Sequence, residues 1–277
     1  MATDLPSVWI QDLTWEEVAS YLERDRIAIV PIGATEEHGP AGVLGVDSYV
    51  AITLAEDAAQ RARVVVTPPI WFGDSVHHAG FPGTISVRPE TLTLLVRDVA
   101  RSLARHGFDR IILLNGHKGS NLAALHTAAR VLHDEELPQV LFVIADPLHL
   151  ARSAAPEIKD TNEHHAGELE LSHVHYRYPG KIRMDRLTDA HVDFDEVFGG
   201  FVGDDLFGKA PDGVEIVWSG DEQRAFTPTG SFSSSLGVAE EKGQRYHDHI
   251  VSRLVELIEW LRRYDGPIGR RDAGKDA

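Results

Sequence analysis

Ile27-Ala28-Ile29-Val30-Pro31-Ile32-Gly33 is the stretch on which the fold turns. Its six apolar residues, four of them β-branched, stop at a glycine, which is the length and composition of a strand buried on both faces. Comparable runs recur at Val64 to Val66, Ile111 to Leu114 and Val140 to Ile144. Between them, Ser48 to Arg61, Pro89 to His106 and Asn121 to Asp134 carry apolar residues at a spacing near 3.6, and Pro89 suits a first helical turn. Upstream, Thr14-Trp15-Glu16-Glu17 reads as a capping box opening a helix to about Arg24; downstream, Val238 to Arg263 reads as a closing helix. Strands alternating with helices imply an α/β fold with a mostly parallel sheet covered by helices.

The chain has 277 residues, enough for one large α/β domain, read here as residues 1–265 with a disordered tail over 266–277. From Lys181 to Ser235 the pattern weakens into long loops that shape a substrate pocket or a subunit contact. A formal charge of −16 repels phosphate backbones and anionic membrane surfaces, which argues against a nucleic-acid partner. The chain contains no cysteine, so neither a disulfide framework nor thiolate chemistry is available. Its start has no basic and apolar leader, and no stretch reaches the roughly 18 apolar residues of a membrane span. The expectation is a soluble cytoplasmic protein.

In a parallel sheet, ligands gather outside the carboxyl ends of the strands. Three clusters fall there: Glu36-Glu37-His38 with Asp47, Asn115-Gly116-His117 with Asn121, and His165-Ala166-Gly167-Glu168 opening a later helix. In extended backbone Glu36 and His38 point the same way, while Glu37 points the other way and is left out. Asp47 has two carboxylate oxygens and can bridge two cations, with imidazoles and further carboxylates supplying the N and O donors that zinc and manganese accept. The bland readings are a solvated acidic loop, a capping Asp47 and a helix-dipole role for Glu168. His77 and His78 are read as structural, and Trp15, Trp71, Trp218 and Trp260 as core residues.

Read in order, Pro31-Ile32-Gly33-Ala34-Thr35-Glu36-Glu37-His38-Gly39-Pro40, Gly45-Val46-Asp47, Phe81-Pro82-Gly83-Thr84-Ile85-Ser86, Asn115-Gly116-His117 through Asn121, and His165-Ala166-Gly167-Glu168-Leu169-Glu170 resemble the motifs of the creatininase (creatinine amidohydrolase) family, up to about Ser172. The resemblance implies a three-layer α/β/α sandwich and a binuclear centre. Glu36, Asp47 and His117 would hold one metal; His38, Asp47 and a further carboxylate would hold the other. Creatininase takes that carboxylate from a Glu two residues past the motif His, where this chain has Gly119, so Glu168 is the expected replacement. His165 and Glu170 match positions near the reacting group and are the candidate catalytic residues. The cofactor is two divalent ions, zinc or manganese, with iron also accepted. The family forms rings, commonly hexamers, so a homo-oligomer is expected.

Two divalent ions lower the pKa of bound water towards about 7, which makes hydroxide available for amide hydrolysis. His165 is the best donor of a proton to the leaving nitrogen, with Glu170 sharing or orienting it. Creatininase places a tryptophan shortly before the equivalent of His165, but Ile158 to His164 has none, and Ala41, Val46 and Leu171 also depart from the family pattern. Creatinine is therefore not the first expectation. The reading is a metal-dependent amidohydrolase acting on a cyclic amide or formamide of a small molecule, with specificity in the loops after Lys181 and around Leu148 to Ser153. The alternatives are a short-peptide amidase and a non-catalytic, metal-stabilised oligomer.

Overall fold

A computed structural model describes residues 5–118, 120–208, 214–266 and 268–269. Its central strand is the run that opened the sequence reading, β1 (Ile27–Ile32), buried at every position. Before it comes α1 (Trp15–Leu22), whose N-terminus carries the expected capping box: Thr14 accepts from the Glu17 N–H and Glu17 answers to the Thr14 N–H. After it come α2 (Val46–Ala62), β2 (Val65–Val66), α3 (Pro89–Arg105), β3 (Arg110–Asn115), α4 (Ser120–Val131) and β4 (Leu141–Ala145). The chain continues through α5 (Pro147–Leu150), α6 (Glu168–Arg177), α7 (Phe194–Phe198), α8 (Gly220–Phe226) and α9 (Glu240–Arg263). Among the described residues the sheet has order β2-β1-β3-β4 and every pairing is parallel, with Ile32 opposite Asn115 at the carboxyl end.

The period of two along each strand sorts the core into two layers. Ile27, Ile29, Ile112 and Leu114 pack against Val50 and Leu54 of α2, Leu169 and Val174 of α6, and Ile250, Leu254 and Ile258 of α9. Val30, Ile32, Ile111 and Leu113 face the other way, against Leu92 and Val96 of α3 and Leu125 of α4. That is the expected three-layer α/β/α sandwich. Pro31 sits inside β1 without disrupting it because the partner strand β2 has already ended there; its carbonyl instead accepts from the Ile70 N–H at 2.9 Å.

Three expectations need correction or placement. Trp15 and Trp260 are exposed rather than core, Trp15 because α1 turns Val18, Tyr21 and Leu22 to the core instead. The loops from Lys181 to Ser235 contain the short helices α7 and α8, with Ser219 and Glu222 forming a second capping box. Apart from Gly266, Ile268 and Gly269, the tail expected over 266–277 lies outside the described residues, as does Gly119.

One buried titrating group away from the sheet's carboxyl edge yields a stability prediction. His173 of α6 is 0% exposed; its Nε2 lies 2.8 Å from His247 Nδ1, and His247 Nε2 reaches Asp57 Oδ2 at 2.9 Å. Burial, reinforced by His247, holds His173 well below its ordinary 6.5. The folded chain thus keeps His173 neutral where the unfolded chain protonates it. Its contribution is complete above pH 6.5 and is lost as the pH falls below that value, at about 1.4 kcal/mol per pH unit. The thermal midpoint should fall between pH 7 and 5.5, and less steeply for His173→Asn. Parallel midpoint curves for the two proteins would contradict this.

Candidate metal centre

Two glycines let the pieces of the centre meet. A side chain at Gly33, just past β1, would put its Cβ 2.4 Å from Ser48 Cα; one at Gly116, just past β3, would put it 2.1 Å from the Asp47 carbonyl. Both strand ends can therefore press against the first turn of α2, and Asp47 is seated between them. Asn115 shapes the next turn: its amide donates to the His117 carbonyl (2.6 Å) and to Asp146 Oδ2 (2.8 Å). Asn121 ties that turn back to the Gly33 carbonyl at 3.1 Å and accepts from the Asp74 N–H at 3.0 Å.

The side chains so placed form two adjoining donor sets. In the first, His117 Nδ1 lies 3.3 Å from both Glu36 Oε1 and Asp47 Oδ2. In the second, His38 Nε2 lies 3.4 Å from Asp47 Oδ1 and 3.5 Å from Glu170 Oε2. Asp47 thus turns one oxygen to each set. Around a tetrahedral ion with bonds of about 2.1 Å, donors stand roughly 3.4 Å apart. The outer nitrogens are fixed as metal-ligand histidines require: His117 Nε2 donates to the Asp74 carbonyl (2.9 Å) and His38 Nδ1 to the Glu36 carbonyl (3.2 Å), leaving the inner nitrogens as donors to a cation.

Both oxygens of Glu36, Nε2 of His38 and Oδ2 of Asp47 are buried and have no hydrogen-bond partner among the described residues. Buried polar atoms are normally satisfied, so a group of orphans facing one another fits divalent ions. The protonation pattern agrees. Burial raises Glu36. For Asp47 the opposing pull of His38 and His117 overcomes burial and holds its carboxyl well below the usual range. His38 is pushed up to about 10, burial being outweighed by Asp47 and Glu170. A potential that draws protons onto buried imidazoles also draws cations.

Glu168, expected from the sequence as a ligand, does not reach these sets. Its Oε1 accepts from the Thr161 N–H at 2.9 Å and from the Asp160 N–H, and its Oε2 pairs with Lys242 Nζ at 2.7 Å. The carboxylate that does reach them is Glu170, two residues further round α6. Its Oε1 accepts from Lys118 Nζ at 2.9 Å, and its Oε2 takes the Ala166 N–H at 2.9 Å while facing His38. Glu163 anchors this helix end by accepting from the Leu169 and Glu170 N–H groups. Ala166 holds a left-handed φ of 58°, an uncommon and strained value for a residue with a Cβ.

His165 precedes α6, with its ring 4.4 Å from that of His38 and its Nδ1 3.8 Å from Glu36 Oε1. Two residues discounted from the sequence also belong here. His78 Nε2 is 3.4 Å from Glu36 Oε1, and Glu37 is buried rather than solvated. The clue was the Phe81 to Ser86 loop beside them: Thr84 Oγ1 accepts the Glu37 N–H at 3.1 Å, and the Ile85 N–H reaches the Thr35 carbonyl at 2.8 Å. The donor sets open into a cavity of about 580 Å³ bounded by His77, Ile216, Val217, Trp218 and Phe232. All of these but His77 lie in the loops after Lys181 that were expected to set specificity; Leu148 to Ser153 do not line it.

A family model described as "Creatininase: Creatinine amidohydrolase" matches residues 11–258, well past the end of the motifs near Ser172. The chain is 30% identical over 269 residues to creatinine amidohydrolase of Pseudomonas putida, covering 91% of this chain and 96% of that protein. It is 30% identical over 191 residues to the 3-dehydro-scyllo-inosose hydrolase of Thermotoga maritima, covering 66% and 60%. It is 36% identical over 115 residues to the mycofactocin precursor peptide peptidase of Mycolicibacterium smegmatis, covering 39% and 46%. A crystal structure of creatinine amidohydrolase superposes with a TM-score of 0.76 at 24% identity, covering 94% of this chain and 99% of that one. Two further creatininase structures are described as a Zn-Zn type and a manganese form.

Proposed function

Because the chain belongs to the creatininase family, whose relatives above are hydrolases, we propose that it hydrolyses a non-peptide C–N bond of a small molecule, a cyclic amide or a formamide, at a centre for two divalent ions. The observation that carries this reading is the group of orphaned buried donors on Glu36, His38 and Asp47, arranged so that Asp47 serves both sides. We assign Glu36, Asp47 and His117 to one ion and His38, Asp47 and Glu170 to the other, zinc or manganese being suited to these N and O donors. When bound, such ions acidify water and polarise a carbonyl.

The protein's own groups do the rest. His165 stands over His38 at the cavity wall; its Nε2 hydrogen is held by Glu37, so the proton it can pass to the leaving nitrogen is a second one, taken up on Nδ1. Lys118 occupies the outer oxygen of Glu170, so the other oxygen stays turned to His38. Trp218 and Phe232 give the chamber an apolar wall against which a substrate can pack. A short peptide amide is the second reading. It is favoured by a cavity of about 580 Å³, within the range of sites that hold drug-sized ligands, and by the similarity to a peptide peptidase. A homo-oligomer, by family resemblance a hexamer, belongs to the same proposal.

Elemental analysis of the purified chain, followed by an amide and formamide panel on the metal-loaded protein, tests the reading. About two equivalents of metal and turnover of at least one amide are expected; no metal uptake from zinc, manganese or iron would sink it. His165→Ala should keep both equivalents and lose roughly 10²–10⁴-fold in turnover, the usual contribution of a positioned acid or base. Unchanged turnover would remove His165 from the reaction.

A further inference from the structure

Glu37 is the motif residue that the ligand sets leave unused, yet its carboxylate is the meeting point of three elements. Glu37 Oε1 lies 3.1 Å from His78 Nδ1, 3.2 Å from His165 Nε2 and 2.9 Å from Gln223 Nε2 of α8. Its Oε2 accepts the Gly39 N–H at 2.9 Å, and its carbonyl lies 2.8 Å from His165 Nε2. Room for the carboxylate is made by Gly230, at φ +83°, where a Cβ would come within 1.9 Å of Glu37 Oε2. The rings of His78 and His165 stack on one another at 4.1 Å and both face the cavity.

From this geometry we infer that Glu37 is a positioning residue: its carbonyl and carboxylate fix the orientation and tautomer of His165 directly and, through the Gln223 amide they share, those of His78, so that both rings are held against Glu36 beside the metal centre. His165 Nε2 has only acceptors from Glu37 around it, the carbonyl and Oε1, so it carries the hydrogen and Nδ1 is left facing Glu36 Oε1 at 3.8 Å. For His78 the neighbours compete, since Gln223 Nε2 is also 2.7 Å from Nδ1. The amide orientation is set by Trp218 Nε1, which can only donate and does so to Gln223 Oε1 at 3.3 Å. The two hydrogens of the Gln223 amide are thereby placed, one on Glu37 Oε1 at 2.9 Å and one on His78 Nδ1 at 2.7 Å, since a hydrogen on Nδ1 would leave two donors facing each other. His78 therefore carries its hydrogen on Nε2, which faces Glu36 Oε1 at 3.4 Å. Ligating carboxylates in metal sites are themselves held by outer-shell donors, and His78 Nε2 facing Glu36, with Gln223 and Glu37 behind it, is placed as such a donor.

The inference rests on the metal-centre reading, and its test separates the two. Cobalt(II) affinity is titrated for the native chain, Glu37→Leu and Glu37→Gln, and crystal structures of all three report the two rings. Glu37→Leu should weaken the first equivalent by roughly 10–100-fold, the usual effect of losing an outer-shell partner, and should displace both rings. Glu37→Gln retains an acceptor oxygen and should restore both affinity and ring positions. Rings left in place with native affinity in Glu37→Leu would overturn the inference, and so would a Glu37→Gln protein as impaired as Glu37→Leu. If Glu37→Leu does not fold, Gln223→Leu, which removes one donor from the same oxygen, should shift the His78 ring and weaken cobalt in the same direction; an unmoved ring there would also overturn it. A native chain that takes up no cobalt defeats the metal-centre reading instead, while the ring positions in the structures still judge the role of Glu37.

Discussion

Asp47→Asn should release both metal equivalents together and reduce hydrolysis to background. Asp47 Oδ2 is 3.3 Å from His117 Nδ1 and Oδ1 is 3.4 Å from His38 Nε2, so each donor set uses a different oxygen of the same group. An asparagine keeps the shape but has one acceptor oxygen and no charge, and its NH₂ would point at whichever set the oxygen does not serve. The loss should exceed the roughly 10–100-fold that follows removal of an outer-shell partner. Because the side chain sits in the first turn of a long, well-buried helix, the fold should survive the change. Elemental analysis and circular dichroism on the same sample check both points. A folded variant holding two equivalents would show that Asp47 does not bridge.

Glu168 and Glu170 should part company when each is changed to glutamine. Glu170→Gln is expected to keep the equivalent held by Glu36, Asp47 and His117, to lose the other, and to lower the thermal midpoint as well, because Lys118 Nζ, 2.9 Å from Glu170 Oε1, is buried and loses its charged partner. Glu168→Gln is expected to keep both equivalents and to lose stability alone. Lys242 Nζ, 2.7 Å from Glu168 Oε2, would lose a buried partner, and breaking such a pair costs about 3–5 kcal/mol. Asp160 remains 2.6 Å from Lys242, which points to the lower end of that range. At about 2–4 °C per kcal/mol for a chain of this order of size, the midpoint should fall by roughly 10 °C. Metal lost from Glu168→Gln at a native midpoint would restore the assignment made from the sequence.

The contrast between these glutamates shows where sequence reasoning stopped. Both stand in one motif and both open α6, and motif position favoured Glu168. Two residues of helix are about 200° of rotation, so only one can face His38. Which one is settled by cations far along the chain: Lys118, from the turn after β3, takes an oxygen of Glu170, and Lys242, from α9, takes Glu168. Glu37 illustrates the same limit. Alternation along extended backbone set it apart from Glu36 and His38, but α8 and the Gly230 turn close around its carboxylate, which meets the same two imidazoles that face Glu36 instead of water.

The sequence by itself determined the parallel α/β order, since buried strands, amphipathic helices and a capping box act over a few neighbouring residues and leave periodic traces. It also placed Glu36, His38, Asp47 and His117 at the carboxyl edge of the sheet, because each follows a strand directly. The tertiary structure decided which carboxylate completes the second donor set, what Glu37 and His78 touch, and which loops wall the cavity. Those outcomes depend on groups within about 3 Å of one another that lie up to 186 residues apart in the chain, as Glu37 and Gln223 do, and no local pattern records such a meeting.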